Sequence, residues 1–318
     1  MNVDSEERSA LACVRHECTN LSLGAAGWMW FGHAGPLGGG TPGEFTDRLE
    51  ALSDAGWKGV GLVGSEFPEL ARDFGVQGLH QLLSDSGIQW TELELDSRYW
   101  FAEDARSRTF LGGILDAAAT LGVRCVKLVP PIGSSSSRKG NINALEGHLK
   151  SLLTSDAASA LQFGIETMAI SEFSDIAIMR AALGELGFSR VGLVLDTWHL
   201  IKTGITPERL MKIVSPEDIK AVELAGALDT NATANSEELR KESADSRMLA
   251  ADSSTPLGPY VEAFLSLGWN GPWDVEVLSE QIRQLPLRDS LQLIRQSFAK
   301  LLSEHTWHEQ RKENENNN

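Results

Sequence analysis

Short apolar runs alternate with longer stretches of helical periodicity along the whole chain, and eight such alternations can be counted. The apolar runs fall at 21–28, 59–63, 88–95, 123–129, 163–168, 191–196, 219–224 and 273–278. Helical patterns cover 41–55, 67–84, 105–121, 142–153, 174–186, 207–213, 258–267 and 285–303. Strands that alternate with helices predict a parallel sheet with helices outside it, and eight units predict closure into a single (β/α)8 TIM barrel. Several boundaries have local causes. Gly43 opens the first helix behind Pro42, and Thr206 is placed to cap the helix at 207. Pro130 and Pro131 stop the fourth strand, because proline has no N–H to give to a ladder. The third strand alternates, with Trp90, Glu92 and Glu94 on one side and Thr91, Leu93 and Leu95 on the other.

No shift in composition divides the chain. One barrel domain over 20–304 is expected, with an extension at 1–19 that is poorly ordered or helical and a polar, low-complexity tail at 305–318 that is disordered. The serine-rich run at 134–137 and a long polar insert at 229–255 both follow strands, which in a barrel puts them on the catalytic face. The insert is long enough to serve as a lid or binding loop.

With 42% hydrophobic and 23% charged residues among 318, the chain is globular and can bury a sizeable core. A formal net charge of -16 opposes phosphate backbones and anionic membrane surfaces, so nucleic-acid and lipid-surface partners are not expected. Cys13, Cys18 and Cys125 are too few and too odd for a disulfide framework, and they fit a reducing, cytoplasmic setting. No second Cys/His pair completes a zinc-finger pattern around Cys13 and Cys18. The N-terminus lacks the basic and then apolar order of a secretory signal, and no stretch approaches the roughly 18 apolar residues of a membrane span.

Four strands of the second half carry an acid in an otherwise apolar setting near their ends: FGIETM, GLVLDTWH, AVELAG and WDVEVLS. The acids are Glu166, Asp196, Glu223 and Glu276. Buried carboxylates are costly unless paired or metal-bound, and these strands carry few basic residues. Four of them facing one barrel mouth call for a common cation, and an oxygen-only donor set suits Mn²⁺ or Mg²⁺. His199, three residues beyond Asp196, is either a packed residue or a substrate contact. His33, in the glycine-rich loop HAGPLGGG, is a weaker substrate-contact candidate, and those glycines match neither a Rossmann nor a Walker spacing. Glu94 is a further candidate or a solvated strand end. Of the nine tryptophans, Trp28, Trp30, Trp90, Trp100, Trp198 and Trp273 lie near strands or their ends, where they either fill the core or wall a sugar site.

The segments GIET, LDTWH, VEL and GPWDVEVLSE resemble the sugar phosphate isomerase/epimerase superfamily, the xylose-isomerase-like barrels, over most of the chain from about Leu21 to Ser303. The resemblance implies a divalent-metal enzyme acting on a small sugar or polyol, with Glu166, Asp196 and Glu276 as metal ligands and His199 touching substrate. The third ligand of that family is usually His and sometimes Gln. Here the matching position holds Glu223, and four carboxylates on one dication leave a formal charge of about -2. Lys127 and Arg247 are the candidate cations to offset it, and they are candidate substrate contacts as well. The resemblance also leaves room for a homo-oligomer, since barrels of this family often pair.

In the mechanism this implies, the metal polarises a carbonyl and steadies an enediolate. One of Glu166 and Glu276 removes the proton beside the carbonyl, and the other returns it. Return to the opposite face gives epimerisation, and return to the neighbouring carbon gives isomerisation. Expulsion of a β-hydroxyl, with His199 or Lys127 as donor, would make the same barrel a dehydratase of the 3-dehydroshikimate or inosose type. A barrel with a degenerate metal site, acting as a binding protein, is a third reading. An endonuclease of abasic DNA shares the superfamily, but its extra histidine ligands and basic surface are missing here.

Overall fold

The computed structural model describes residues 22–31, 35–36, 43–101, 105–132, 138–187, 189–229 and 237–316. Eight parallel strands close into one barrel in chain order: β1 (Leu23–Ala25), β2 (Gly59–Val63), β3 (Trp90–Leu95), β4 (Cys125–Leu128), β5 (Phe163–Glu166), β6 (Val191–Asp196), β7 (Ile219–Leu224) and β8 (Trp273–Val275). β1 pairs with β2 on one side and β8 on the other, which closes the ring. Because the strands face helices outside and packed side chains inside, they read as near-continuous apolar runs. The outer helices show the complementary stripe. Leu111, Ile114, Leu115, Ala118 and Leu121 are the buried face of the helix Ala105–Leu121, at the spacing that lines up along one side.

Four expectations are corrected by local chemistry. β1 ends at Ala25, and Gly27–Trp30 forms a 3-10 turn, because the Gly27 N–H is given to the Glu94 side chain and not to a neighbouring strand. The helical pattern at 67–84 is two helices, Phe67–Phe74 and Val76–Asp85, broken at Gly75 with φ of 65°, a conformation that only glycine adopts without strain. β8 stops at Val275, so Glu276 lies just beyond its strand. The tail expected to be disordered is helical: the last helix runs Leu287–Asn316, and 304–316 contains no Gly or Pro and several Glu, Gln, Lys and Arg, all good helix formers. The extension at 1–19, with Cys13 and Cys18, lies outside the described residues. No helix among the described residues is long and apolar enough to cross a membrane.

The sheet register delivers acids to one place. Asp196 is level with Glu223, and Glu223 with Asp274, across adjacent strands. Across β3 and β4, Glu94 is level with Lys127. The insert after β7 turns back onto the barrel mouth. It carries the helix Glu237–Asp245, then two isolated antiparallel bridges, Ser246 to Ser279 and Met248 to Gly226.

Candidate metal centre

The four acids do converge. Glu166 ends β5, Asp196 ends β6, Glu223 is one residue from the end of β7, and Glu276 follows β8, so all four lie at the carboxyl ends of their strands. Each is at least nine-tenths buried. One carboxylate oxygen from each lies within 4.8 Å of the others, a grouping that could hold a metal ion. Glu166, Asp196 and His199 form a second, three-residue group within the same distance. The donor set is oxygen-rich, as hard divalent cations require. Glu166 Oε1 is buried and accepts no well-aligned hydrogen bond among the described residues, although His199 Nε2 lies 3.2 Å away. An unsatisfied buried carboxylate oxygen costs free energy, and a cation there would remove the cost. The residues therefore fit the ion that the family resemblance implies.

They also hold a cation of their own. Arg247, between the two bridge residues of the insert, donates from Nη1 to Asp196 Oδ2 at 2.6 Å and to Glu276 Oε2 at 2.7 Å. Its Nε donates to the Ser243 carbonyl at 2.7 Å, and its guanidinium lies 5.2 Å from the Trp198 ring centroid. Asp196 is fully engaged, since Oδ1 accepts the Trp198 N–H at 2.7 Å and caps the helix Thr197–Lys202. His199 Nδ1 accepts the Ala169 N–H at 3.1 Å, which leaves Nε2 to carry the proton of the neutral ring and face Glu166.

Lys127 has a different place. Its ammonium lies 2.5 Å from Glu92 Oε2, 2.6 Å from Glu223 Oε1 and 3.0 Å from Asp274 Oδ2. Arg124 adds a second ion pair to Glu92. A Cβ at Gly24 would collide with Asp274 Oδ1, so β1 makes room for this cluster by having no side chain there. Glu223 thus belongs to both groups, being within reach of the metal ligands and tied to Lys127. The excess negative charge expected around Glu223 is met by the lysine.

Burial dominates the electrostatics. It pushes Glu166, with the Asp196 carboxylate as the next cause, up to about 7. Burial raises Glu223 and Glu276 well above the usual carboxylate range despite Lys127 and Arg247 respectively. Burial takes His199 down to about 3, so its ring is neutral at physiological pH. Lys127 and Arg247 are also opposed by burial, but the surrounding carboxylates outweigh it and hold both charged.

A cavity of about 400 Å³ opens beside the Arg247 group. Glu94, Glu166, Arg247 and Glu276 line it, together with apolar Trp28, Ile132, Met168, Ile170 and Leu278. Of the substrate contacts expected from sequence, Arg247 lines the cavity; Lys127 does not, because its ammonium is enclosed by three carboxylates, and His199 does not, because its ring is buried with Nε2 against Glu166. His33 lies outside the described residues. Among the six tryptophans, Trp28 lines the cavity, while Trp30, Trp100, Trp198 and Trp273 are buried in packing. Glu94 belongs to the site: it is 5% exposed, accepts the Gly27 N–H at 2.5 Å, and would be struck by a Cβ at Gly61. The signal for it was the two-residue period of β3, which puts Glu92 and Glu94 on one face; the same period on β8 puts Asp274 below Glu276.

No curated protein sequence matches the chain. Solved structures do match in fold. The IolI protein with a bound zinc atom superposes with a TM-score of 0.73 at 16% identity, covering 90% of this chain and 99% of that one. A D-psicose 3-epimerase determined with D-fructose gives 0.66 at 14% identity, over 89% and 99%. The 3-keto-D-glucoside 4-epimerase YcjR of E. coli gives 0.64 at 14% identity, over 89% and 100%. At these identities the likeness is one of fold, and it spans whole chains. The family model for the xylose isomerase-like TIM barrel matches residues 49–297, and the chain belongs to that family.

Proposed function

We propose that this barrel is a sugar isomerase or epimerase that depends on a divalent metal, Mn²⁺ or Mg²⁺, held by Glu166, Asp196, Glu276 and Glu223. The observation that carries the reading is the convergence of four buried carboxylate oxygens within 4.8 Å, one of them, on Glu166, without a well-aligned hydrogen bond. The epimerases among the structures of the same fold support it. A bound dication would polarise a substrate carbonyl and lower the barrier to removing the adjacent proton. Glu166 and Glu276 both line the cavity and act as the proton-transfer pair, one removing and one returning the proton. Without the ion, burial and Asp196 push Glu166 up to about 7; beside a bound dication its carboxyl favours the charged form, ready to take a proton. His199, neutral and buried outside the cavity lining, turns Nε2–H toward Glu166 at 3.2 Å and so positions that carboxylate; it does not itself titrate near neutrality. The proton donors that a dehydratase would draw on are poorly suited: His199 is not charged, and Lys127 is enclosed away from the cavity.

The test is solvent exchange. A panel of ketopentoses and ketohexoses is incubated in D₂O with the Mn²⁺-loaded protein and followed by NMR. Deuterium should enter at a carbon next to the carbonyl without loss of water, and Glu166→Gln should slow it about 10²–10⁴-fold. Exchange unaltered by Glu166→Gln, or absent with every sugar, defeats the proposal. The Arg247 pairing favours one other reading, a barrel in which the guanidinium has replaced the ion altogether; elemental analysis decides, since such a protein retains no metal.

A further inference from the structure

We infer that Arg247 is an internal cation that competes with the metal for Asp196 and Glu276, and that uptake of the ion turns its guanidinium into the adjoining cavity. The inference rests on the reading of these carboxylates as a metal site. Arg247 Nη1 sits between Asp196 Oδ2 and Glu276 Oε2, at 2.6 and 2.7 Å. A small dication bonds carboxylate oxygens at about 2.0–2.2 Å and needs the same space between the same side chains. The two cations exclude each other. The guanidinium is also an incomplete match. It gives nothing to Glu166 Oε1, so of the four acids it serves Asp196 and Glu276, leaves Glu223 to Lys127, and leaves that Glu166 oxygen unsatisfied. A dication can serve all of them, and can therefore win.

The backbone around Arg247 restricts what can move. Its own N–H donates to the Leu278 carbonyl at 2.9 Å, and Met248 exchanges two backbone hydrogen bonds with Gly226, both 2.9 Å. A Cβ on Gly226 would come within 2.8 Å of the Leu249 carbonyl oxygen, so the close approach of insert and β7 end depends on glycine there. With the main chain pinned on both sides, displacement is a side-chain rotation. Nη2 is held only by a weaker contact, to Ser243 Oγ at 3.3 Å, since His199 Nε2, 3.5 Å away, carries its own proton and cannot accept from it. The residue already lines the cavity, so the freed guanidinium points at the space where a substrate oxygen would lie. Metal uptake thus arms the substrate site, and the helix Glu237–Asp245, which supplies Ser243, feels the change.

Calorimetric titration of the full chain with Mn²⁺ tests this, using wild type, Arg247→Met and Arg247→Lys. Arg247→Met should bind Mn²⁺ at least about 10-fold more tightly, because two hydrogen bonds between charged groups no longer have to be broken. Arg247→Lys, with one compact ammonium in place of the fork, should fall between. Hydrogen exchange over 237–253 should change on Mn²⁺ addition in wild type and not in Arg247→Met. Equal or weaker binding by Arg247→Met overturns the competition while leaving the metal site standing. Absence of binding in all three proteins at millimolar Mn²⁺ removes the metal site and this inference together. Tighter binding by Arg247→Met alongside absence of sugar exchange in wild type upholds the competition and removes only the sugar reading.

Discussion

Two clusters of buried acids share the inside of this barrel, and each encloses one cation. Around Lys127 the carboxylates of Glu92, Glu223 and Asp274 approach a single ammonium to 3.0 Å or less, from a residue rigidly held on a strand. Around Arg247 the carboxylates of Asp196 and Glu276 approach a guanidinium that arrives from an insert, while Glu166 keeps an unsatisfied oxygen and a cavity opens alongside. The chemistry of the two sets is nearly the same. Each set also keeps one buried carboxylate oxygen without a well-aligned hydrogen bond, Glu92 Oε2 beside Lys127 and Glu166 Oε1 beside Arg247. What separates the two is whether a small molecule can reach them, and of the two clusters the Arg247 one lines the cavity.

The comparison breaks most visibly at Lys127. Removing one partner from a buried ion pair leaves the rest uncompensated, so Lys127→Met should cost about 3–5 kcal/mol of folding stability in urea unfolding. Added Mn²⁺ should not close the gap to wild type, because Glu92 and Asp274 lie outside the proposed ligand set and keep their uncompensated charge. A loss below 1 kcal/mol would mean that the lysine cluster is not structural, and that the contrast is misdrawn.

How much of this the sequence carried follows from the same contrast. The acids of the open cluster were legible because each interrupts an apolar strand at its end, and because position at a strand end is a one-dimensional property. The lysine cluster was legible only in its Lys127–Glu223 half, as a cation offsetting an excess acid. Asp274 and Glu92 sit two residues before Glu276 and Glu94 on the same faces, but a period of two does not say which layer of a barrel a side chain reaches or what lies opposite. That depends on strand tilt and register between distant segments, as when Gly24 clears space for Asp274. Arg247 was visible as a cation in a long insert, yet its seat is set by two isolated bridges to strand ends, which leave no periodic trace. The split at Gly75 and the helical tail are local by contrast: a single glycine and a run of good helix formers carry them, and both can be read in the sequence.

A second prediction sharpens the comparison through pH. Glu166 has an ordinary carboxylate value of 4.5 unfolded and is pushed up to about 7 in the folded chain, chiefly by burial. Between those values the native state binds more protons than the unfolded one, so this group's contribution to stability falls as pH rises through that window and levels off above it. Metal-free protein should therefore lose melting temperature from pH 5 to pH 8. Glu166→Gln should flatten part of that slope, and saturating Mn²⁺ should flatten it too, since a dication favours the charged carboxylate. A slope identical in wild type and Glu166→Gln would show that the open cluster carries no such burden.

The smallest effect is the most local. Cys125 lies two residues before Lys127 on β4 and faces the same way, with its thiol 1% exposed and pushed up to about 11, burial being the main cause. At pH 8 about one thiol in a thousand would be ionised, and the thiolate is the reactive form. In a Cys13→Ser, Cys18→Ser background, labelling of Cys125 by a disulfide reagent should therefore be slow and limited by opening of the barrel interior. Lys127→Met loosens the cluster beside it and should accelerate labelling, by a factor that follows its loss of stability. Arg247→Met disturbs the other cluster and should change the rate less than two-fold. If Arg247→Met speeds labelling as much as Lys127→Met does, the two clusters open as one unit, and the division between an enclosed structural set and an open working set is one of access alone and not of mechanics.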